Sequence, residues 1–135
     1  MRLLATLGVT RLALLACVVA VPALAQSSFD GTYHSTSITG SAGRGMSSCA
    51  TITSMTMAIT GGRVVIREVQ ATGPGPTYQG TVDPSGKVAV TYTSTSNQRD
   101  VGGLAFAVTG TISGGTFTGQ RTHQQCISNV TMAKG

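Results

Sequence analysis

The chain has 135 residues, with nine basic and four acidic side chains and a net charge of +5. The basic residues are dispersed, without the clusters that a nucleic-acid footprint needs, so we expect no nucleic-acid partner. Aromatic residues make up 4% of the chain. Because outer-membrane barrels need two aromatic girdles and strands of about 9–11 residues, we expect no membrane insertion.

The first 25 residues have the three parts of a secretory signal. Arg2 and Arg11 form a basic start, 12–21 is an apolar core, and a small–x–small pattern ends at Ala25, as signal peptidase requires. A membrane-spanning helix needs about 20 apolar residues, more than this run offers. We therefore predict a periplasmic or secreted bacterial protein, cleaved after Ala25, with a single domain over 26–135.

Three cysteines are divided between these two parts. Cys17 lies in the apolar run, where Leu14–Cys17 loosely resembles a lipoprotein cleavage box, so lipidation of Cys17 is the alternative to simple cleavage. Cys49 and Cys126 lie in the domain. Because exported chains meet oxidising conditions, we predict that these two form a disulfide. A free catalytic thiol is the alternative, and it would need a neighbouring base.

Alternating apolar and polar residues predict β-strands throughout the domain, and no stretch has helical periodicity with a cap. The alternation is clear at Met55, Met57 and Ile59. Hairpin turns are predicted where Gly-Gly or Asp-Pro-Ser-Gly separates two apolar runs. These turns are Gly61–Gly62, Asp83–Gly86 and Gly114–Gly115. The predicted strands lie near 33–38, 51–60, 63–70, 77–82, 87–93, 104–112, 116–122 and 127–132.

The connections indicate how these strands are arranged. Short turns alternate with long polar links, 39–50, 71–76 and 94–103, which places the long links at one end of an antiparallel meander. We predict eight strands closed into a small barrel, because closure removes exposed edges; a β-sandwich is the alternative. Cys49 and Cys126 then lie at the same end with the first strand between them, so their disulfide requires the loop before Cys49 to lean inward.

No motif indicates catalysis, since the chain lacks a Gly-x-Ser-x-Gly elbow, a phosphate loop and a Cys-x-x-Cys pair. His34 and His123 are the two histidines, and we expect them to lie apart rather than to bind a metal. Glu68 either shares the inner face of its strand with Val64 and Ile66 or is flipped outward by a bulge. We expect no enzyme activity and no cofactor; a weak hydrolase that uses His123 is an alternative.

Polar side chains near the long links are candidate ligand contacts. We predict that Arg44, Tyr78, Arg99, Arg121 and His123 meet an anionic or sugar-like group at the barrel mouth. The chain is therefore interpreted as a monomeric binding protein for a small ligand or an envelope protein. A structural or stress-related envelope protein without a ligand is the alternative.

Two resemblances follow from short motifs. The opening Phe29–Tyr33, Gly80–Val88 with its Gly-Thr-Val-Asp-x-x-Gly-Lys-Val pattern, and one cysteine near each end of the domain are similar to uncharacterised small exported β-proteins of proteobacteria, which implies no activity. More distantly, the aromatic–x–Gly–x–aromatic opening resembles avidin-like and lipocalin-like barrels. Those families place a tryptophan in this region and this chain has none, so the resemblance implies their fold but not their mode of ligand binding.

Overall fold

A computed structural model describes residues 28–42, 49–92, 106–123 and 125–135. Eight antiparallel strands close in chain order into a barrel, with the first strand paired to the last. The predicted meander barrel is therefore confirmed over the sandwich. The predicted signal segment, Arg44 and Arg99 lie outside the described residues. The strands are β1 Gly31–Ala42, β2 Ile52–Thr60, β3 Arg63–Gln70, β4 Gly73–Val82, β5 Lys87–Tyr92, β6 Phe106–Ser113, β7 Thr116–His123 and β8 Cys126–Lys134.

Strand alternation sends one face of each strand into the barrel, and that face fills the interior. Phe117 is fully buried, and its ring lies against Gly110 and Gly119, where the added Cβ of an alanine would come within 2.6 Å and 2.5 Å of ring atoms. Glycine at these positions therefore makes room for the ring. The buried apolar core consists of Tyr33, Met55, Met57, Ile59, Val64, Ile66, Tyr78, Val82, Val88, Val90, Val108, Ile112, Phe117, Val130 and Met132.

The outer face is mainly polar. Exposed outward positions alternate with the core positions along the strands, and threonine is the most frequent residue among them. β-branched threonine suits a pleated, half-buried surface. Outward examples are Thr81, Thr91, Thr109, Thr111, Thr118, Arg63, Arg67, Gln79, Gln120 and Asn129.

The three predicted hairpin turns are confirmed, and together with both ends of the described chain they form one end of the barrel, here called the turn end. Gly61 and Gly62 have φ angles of 56° and 81°, and Gly114 and Gly115 have 55° and 77°. Two consecutive positive φ angles define the turn whose twist matches paired strands. The glycine pairs are therefore required by the backbone.

The opening Phe29–Tyr33 motif also serves the turn end. Asp30 Oδ1 accepts a hydrogen bond of 2.9 Å from the Gly61 amide, and the Tyr33 hydroxyl donates one of 2.9 Å to the Phe29 carbonyl. The Phe29 ring lies close to Gly86, where an added Cβ would be 3.2 Å from it. These contacts lie at the turn end and help to close the barrel, which gives the motif a structural role.

The opposite end, here called the loop end, is where β1, β3, β5 and β7 end and where β2, β4, β6 and β8 begin. The predicted long link over 71–76 is wrong, because β4 begins at Gly73 and only two residues separate it from β3. Pro74 and Pro76 are accommodated because the described pairs of β4 with β5 begin only at Tyr78, and proline is tolerated at such an edge.

The predicted disulfide between Cys49 and Cys126 is present, with Cα atoms 5.9 Å apart. Cys126 points inward and is paired in register with Ala42 at the end of β1. Cys49 precedes β2, so the bond joins β8 to the entry of β2 past the end of β1. The loop before Cys49 that was expected to lean inward lies outside the described residues. A disulfide is consistent with an oxidising compartment.

Candidate functional site

Strands β1 and β2 separate at the loop end. They pair over four positions, from Gly31–Ile59 to His34–Thr56. Beyond these positions β1 continues to pair with β8 as far as Ala42, and Ile52 and its successors in β2 pair with β3. Within the described residues, the barrel is thus open between the last part of β1 and the first part of β2.

Two bulges lie beside this separation. The pairing of β1 with β8 shifts at Thr36, and that of β2 with β3 shifts at Thr53. Each threonine hydroxyl donates to the adjacent strand: Thr36 to the Thr131 carbonyl at 3.3 Å and Thr53 to the Val69 carbonyl at 3.0 Å. A bulge bends its strand and increases the local twist, so a bulge in β1 and another in β2 favour the divergence of the two strands.

The separation encloses a pocket of about 340 Å³, here called the inter-strand cleft. Its walls come from the inner faces of β1 and β8 and from the chain that enters β2. The disulfide forms one boundary through Cys49. The lining combines aliphatic side chains, hydroxyl groups and main chain, and it consists of Ile38, Gly40, Cys49, Ala50, Thr51, Ile52 and Ser128.

A buried polar network supports the barrel wall beside the cleft. Arg121 and Glu68 form an ion pair in which both side chains are 1% exposed or less. Arg121 Nε lies 2.8 Å from Glu68 Oε2 and Nη2 lies 2.8 Å from Oε1. The two nitrogens thus bind both carboxylate oxygens side by side, which is the strong geometry for this pair.

Tyr78 and Gln70 complete the hydrogen bonds of the Glu68 carboxylate. The Tyr78 hydroxyl donates to Oε2 at 3.2 Å and Gln70 Nε2 donates to Oε1 at 2.7 Å. Burial, reinforced by the negative charge of Glu68, raises the pKa of Tyr78 well above its usual value, so the hydroxyl keeps its proton and remains a donor. Gly75 gives Glu68 its space, because an added Cβ would lie 3.1 Å from Glu68 Cγ.

His123 lies at the mouth, above Arg121. Its Nδ1 is 2.8 Å from Arg121 Nη2, and because a guanidinium only donates, Nδ1 must accept and the neutral ring carries its proton on Nε2. Burial and the charge of Arg121 lower the pKa of His123. The ring also packs on Phe106 at 4.6 Å between centroids, and Phe106 packs on Tyr92 at 5.7 Å.

The register connects this network to the cleft. Arg121 is paired with Ser128, His123 with Cys126, and Gln70 with Ile52. Arg121, His123 and Gln70 therefore each sit beside a residue that lines the cleft or is bonded to one that does. Glu68 and Tyr78 have other register neighbours and connect to the cleft through their hydrogen bonds with Arg121 and Gln70. The ion pair and the cleft are two parts of one structure at the loop end.

The predicted ligand contacts that the structure describes differ in how deeply they are buried. Tyr78 and Arg121 are inside the barrel, 0% and 1% exposed, so the expectation that they stand on the rim is wrong. His123 is half-buried at the mouth. His34 lies near the turn end and His123 at the loop end, as expected, and the described ranges contain no group of three or more His, Cys, Asp and Glu side chains able to hold a metal.

Sequence reasoning missed the cleft and the partner of Arg121. For Glu68, the inward alternative is confirmed, because it is 2% exposed on the same face as Val64 and Ile66. A charged residue in a run of inward apolar positions was the available signal, since such a residue needs a buried partner. Nothing local, however, indicated that the partner lies 53 residues away.

The comparisons add no relative to this description. No protein-family model, curated protein or solved structure matches the chain, so both resemblances drawn from the short motifs stay predictions. The described part of the chain contains no helix long and apolar enough to cross a bilayer.

Proposed function

We propose that the chain is an exported binding protein that holds a neutral ligand in the inter-strand cleft. The observation that carries the proposal is the volume of the cleft, about 340 Å³, which falls in the range of roughly 300–1,000 Å³ typical of small-ligand sites. The barrel interior is filled by its own side chains, which favours a ligand at the loop end over one at the barrel centre.

The lining favours an uncharged ligand over the anionic group expected from sequence. The cleft residues include Ile38 and Ile52 beside the hydroxyls of Thr51 and Ser128, and no lining residue in the described part of the chain is charged. Arg121, the obvious anion contact, is already bound to Glu68. A molecule with a small aliphatic body and a few hydrogen-bonding groups complements this surface best.

Export is supported by two observations. The disulfide agrees with an oxidising compartment, and residues 1–25 carry the pattern of a cleaved secretory signal. The polar, threonine-rich outer face suits contact with water. We therefore place the protein in the periplasm or outside the cell.

Binding without catalysis agrees with the chemistry of His123. Its Nδ1 accepts from Arg121, and the neutral ring then offers a donor rather than a base at Nε2. The described contacts of the ring are Arg121 and Phe106, which hold it in place without presenting a nucleophile. In this proposal the polar network keeps the wall of the cleft rigid.

The test is to fill the cleft by substitution. Gly40 lines it with a backbone that accepts other residues, and an added Cβ meets only the Ser128 hydroxyl, at 3.2 Å, and the Ile127 carbonyl, at 3.9 Å. The Gly40→Leu side chain should occupy the cleft. Thr39→Leu is the matched control, because Thr39 is exposed and its neighbour in register, Asn129, is exposed too.

The probes are isobutanol and N-acetyl-valine methylamide, titrated into the nitrogen-15-labelled exported protein and followed by amide chemical shifts. We expect saturable shifts at cleft residues such as Ile38, Gly40 and Ile52 in the wild type and in Thr39→Leu. Gly40→Leu should lose them. Saturable shifts that survive in Gly40→Leu, or an absence of cleft shifts with both probes and with peptides, would contradict the proposal.

A further inference from the structure

We infer that the ligand of the inter-strand cleft is an extended polypeptide segment of another protein, which enters as an added strand between β1 and β2. This inference rests on the proposed function, because it names the ligand class of the same cleft.

The segments of β1 and β2 that border the cleft each have an edge without a strand partner in the described residues. From Ser35 to Ala42, β1 pairs with β8 on one side, and no described residue pairs with it on the other. The segment 52–55 of β2 pairs with β3 and, within the described ranges, has no strand opposite its other edge. Because alternate peptide groups of a strand point to opposite sides, main-chain donors and acceptors face the cleft from both walls.

The open edges are fixed by specific contacts. Continuing the β1–β2 register would place Ser35 opposite Met55, but the Met55 amide donates instead to the Ser35 hydroxyl oxygen at 3.0 Å. A side chain thus ends the ladder, and the hydroxyls of Thr36 and Thr53 hold the bulges beside it. The disulfide then anchors the entry of β2 to β8.

An extended peptide matches this arrangement. The main-chain groups of an unpaired strand edge form hydrogen bonds with water or with a further strand. A strand presents alternating donors and acceptors along both of its edges at the same spacing as the bordering segments, about 3.3 Å per residue. Strand addition of this kind is a common mode of peptide recognition. The four residues 52–55 of β2 limit two-sided pairing to a segment of about four or five residues.

The side-chain environment narrows the sequence of that segment. Side chains that point toward the barrel would meet Ile38, Gly40 and Ile52, which leave room for small or aliphatic groups. None of the described lining residues is charged, so recognition should select alternating Val, Ala or Thr rather than acidic or basic residues. Affinity should also change little with salt concentration, because screening acts on charges.

The experiment compares two peptides that have the same amino-acid sequence. The first is acetyl-Thr-Val-Ser-Val-Thr-amide, and the second is the same peptide methylated on the amide nitrogen of both valines, which removes the donors along one edge. The labelled exported protein is titrated with each peptide, and amide shifts and hydrogen exchange are recorded. We expect binding of the first peptide with new protection in 36–42 and 52–55, and binding at least about tenfold weaker for the second, as the loss of two hydrogen bonds implies.

The variants separate this inference from the proposed function. Gly40→Leu should abolish peptide binding and Thr39→Leu should keep it. Equal affinity of the two peptides, or no peptide binding while isobutanol still shifts cleft residues, would overturn strand addition and leave the cleft as a small-ligand site. Edge amides that are already protected from exchange in the free monomer would also overturn strand addition, because the edges would then be paired within the chain. Protection in a dimer detected by sedimentation would overturn it too, because a second copy of the chain would then pair with the edges.

Discussion

The strands are held together by different kinds of contact at the two ends of this barrel. At the turn end, glycine pairs with positive φ and an aspartate-capped turn join strands in unbroken register. At the loop end, β1, β2 and β4 each carry a register shift, charged groups are buried, and a disulfide replaces part of the ladder. The turn end thus joins the strands in regular register, whereas the irregular loop end leaves a cleft.

Stabilisation differs accordingly. The turn end depends on close backbone packing and on main-chain bonds, such as the Gly86 amide to the Asp83 carbonyl at 2.9 Å. The loop end depends on a few strong cross-links between distant residues, namely Cys49–Cys126 and Arg121–Glu68. Removing a cross-link should therefore loosen the loop end first, whereas crowding the backbone should affect the regular half.

The largest effect is expected from removal of the disulfide. The bond joins residues 77 positions apart, and in the chain-entropy description the Cys49→Ala/Cys126→Ala variant should lose about 4 kcal/mol of unfolding free energy. Urea unfolding measures this loss. Amide exchange should show that protection falls first in 37–42 and 126–130, with the turn-end hairpins protected longer; the reverse order would contradict the comparison.

Breaking the ion pair should have a slightly smaller effect. Arg121→Met leaves the Glu68 carboxylate buried without a counter-ion and should cost about 3–4 kcal/mol in urea unfolding. The double variant Arg121→Met/Glu68→Leu should recover most of that loss, because an apolar replacement of both partners removes the buried charge. Arg67→Met on the exposed face of β3 is the control and should change stability by less than about 0.5 kcal/mol. A double variant as unstable as the single one would contradict the view that the unpaired Glu68 charge causes the loss.

The third largest effect is expected from crowding the backbone of the paired strands β4 and β5. In Gly80→Ala the new Cβ would meet the Ala89 carbonyl oxygen and the Val90 Cα atom at 2.7 Å, so the paired strands must shift and the cost should be about 2–3 kcal/mol. Gly114→Asn is the control, since Gly114 has an open environment and a φ of 55° that asparagine tolerates. Thermal or urea unfolding that ranks the two variants equally would argue against close packing at Gly80.

The smallest effect is the pH dependence from His123. Its pKa in the folded state lies below the unfolded value, about 6.5, because of burial and the charge of Arg121, with Glu68 acting in the opposite direction. The unfolded chain therefore binds the proton first, so stability is complete above about pH 6.5 and falls as the pH drops from there through the folded pKa. His123→Asn should remove this part of the slope in urea unfolding at pH 7.5 and 5.5.

His34→Asn is the matched control for this titration, because His34 is exposed and lies near the turn end. It should leave the slope that belongs to His123 unchanged. If His34→Asn flattens the pH dependence and His123→Asn does not, the coupling between Arg121 and His123 is not the cause.

The sequence by itself determined the features that depend on neighbours along the chain. Alternation at Met55, Met57 and Ile59 predicted an inward face that is buried, and Gly61–Gly62 and Gly114–Gly115 predicted turns that only positive φ permits. Two cysteines in a domain with a secretory signal pattern predicted the disulfide. Each of these follows from local periodicity, turn geometry or thiol chemistry.

The tertiary structure alone decided what lies across the barrel. The bulge at Thr36 moves the inward positions from Tyr33 to Ile38 and Gly40, so the period of two breaks inside β1 and the predicted strand stopped four residues short. Two features depend on which strands become neighbours when the sheet closes: the pairing of Arg121 with Glu68 and the opening between β1 and β2. They also depend on register shifts, which change the residues that point into the barrel. Alternation along one strand carries no information about the strand opposite, and so the cleft appears only in three dimensions.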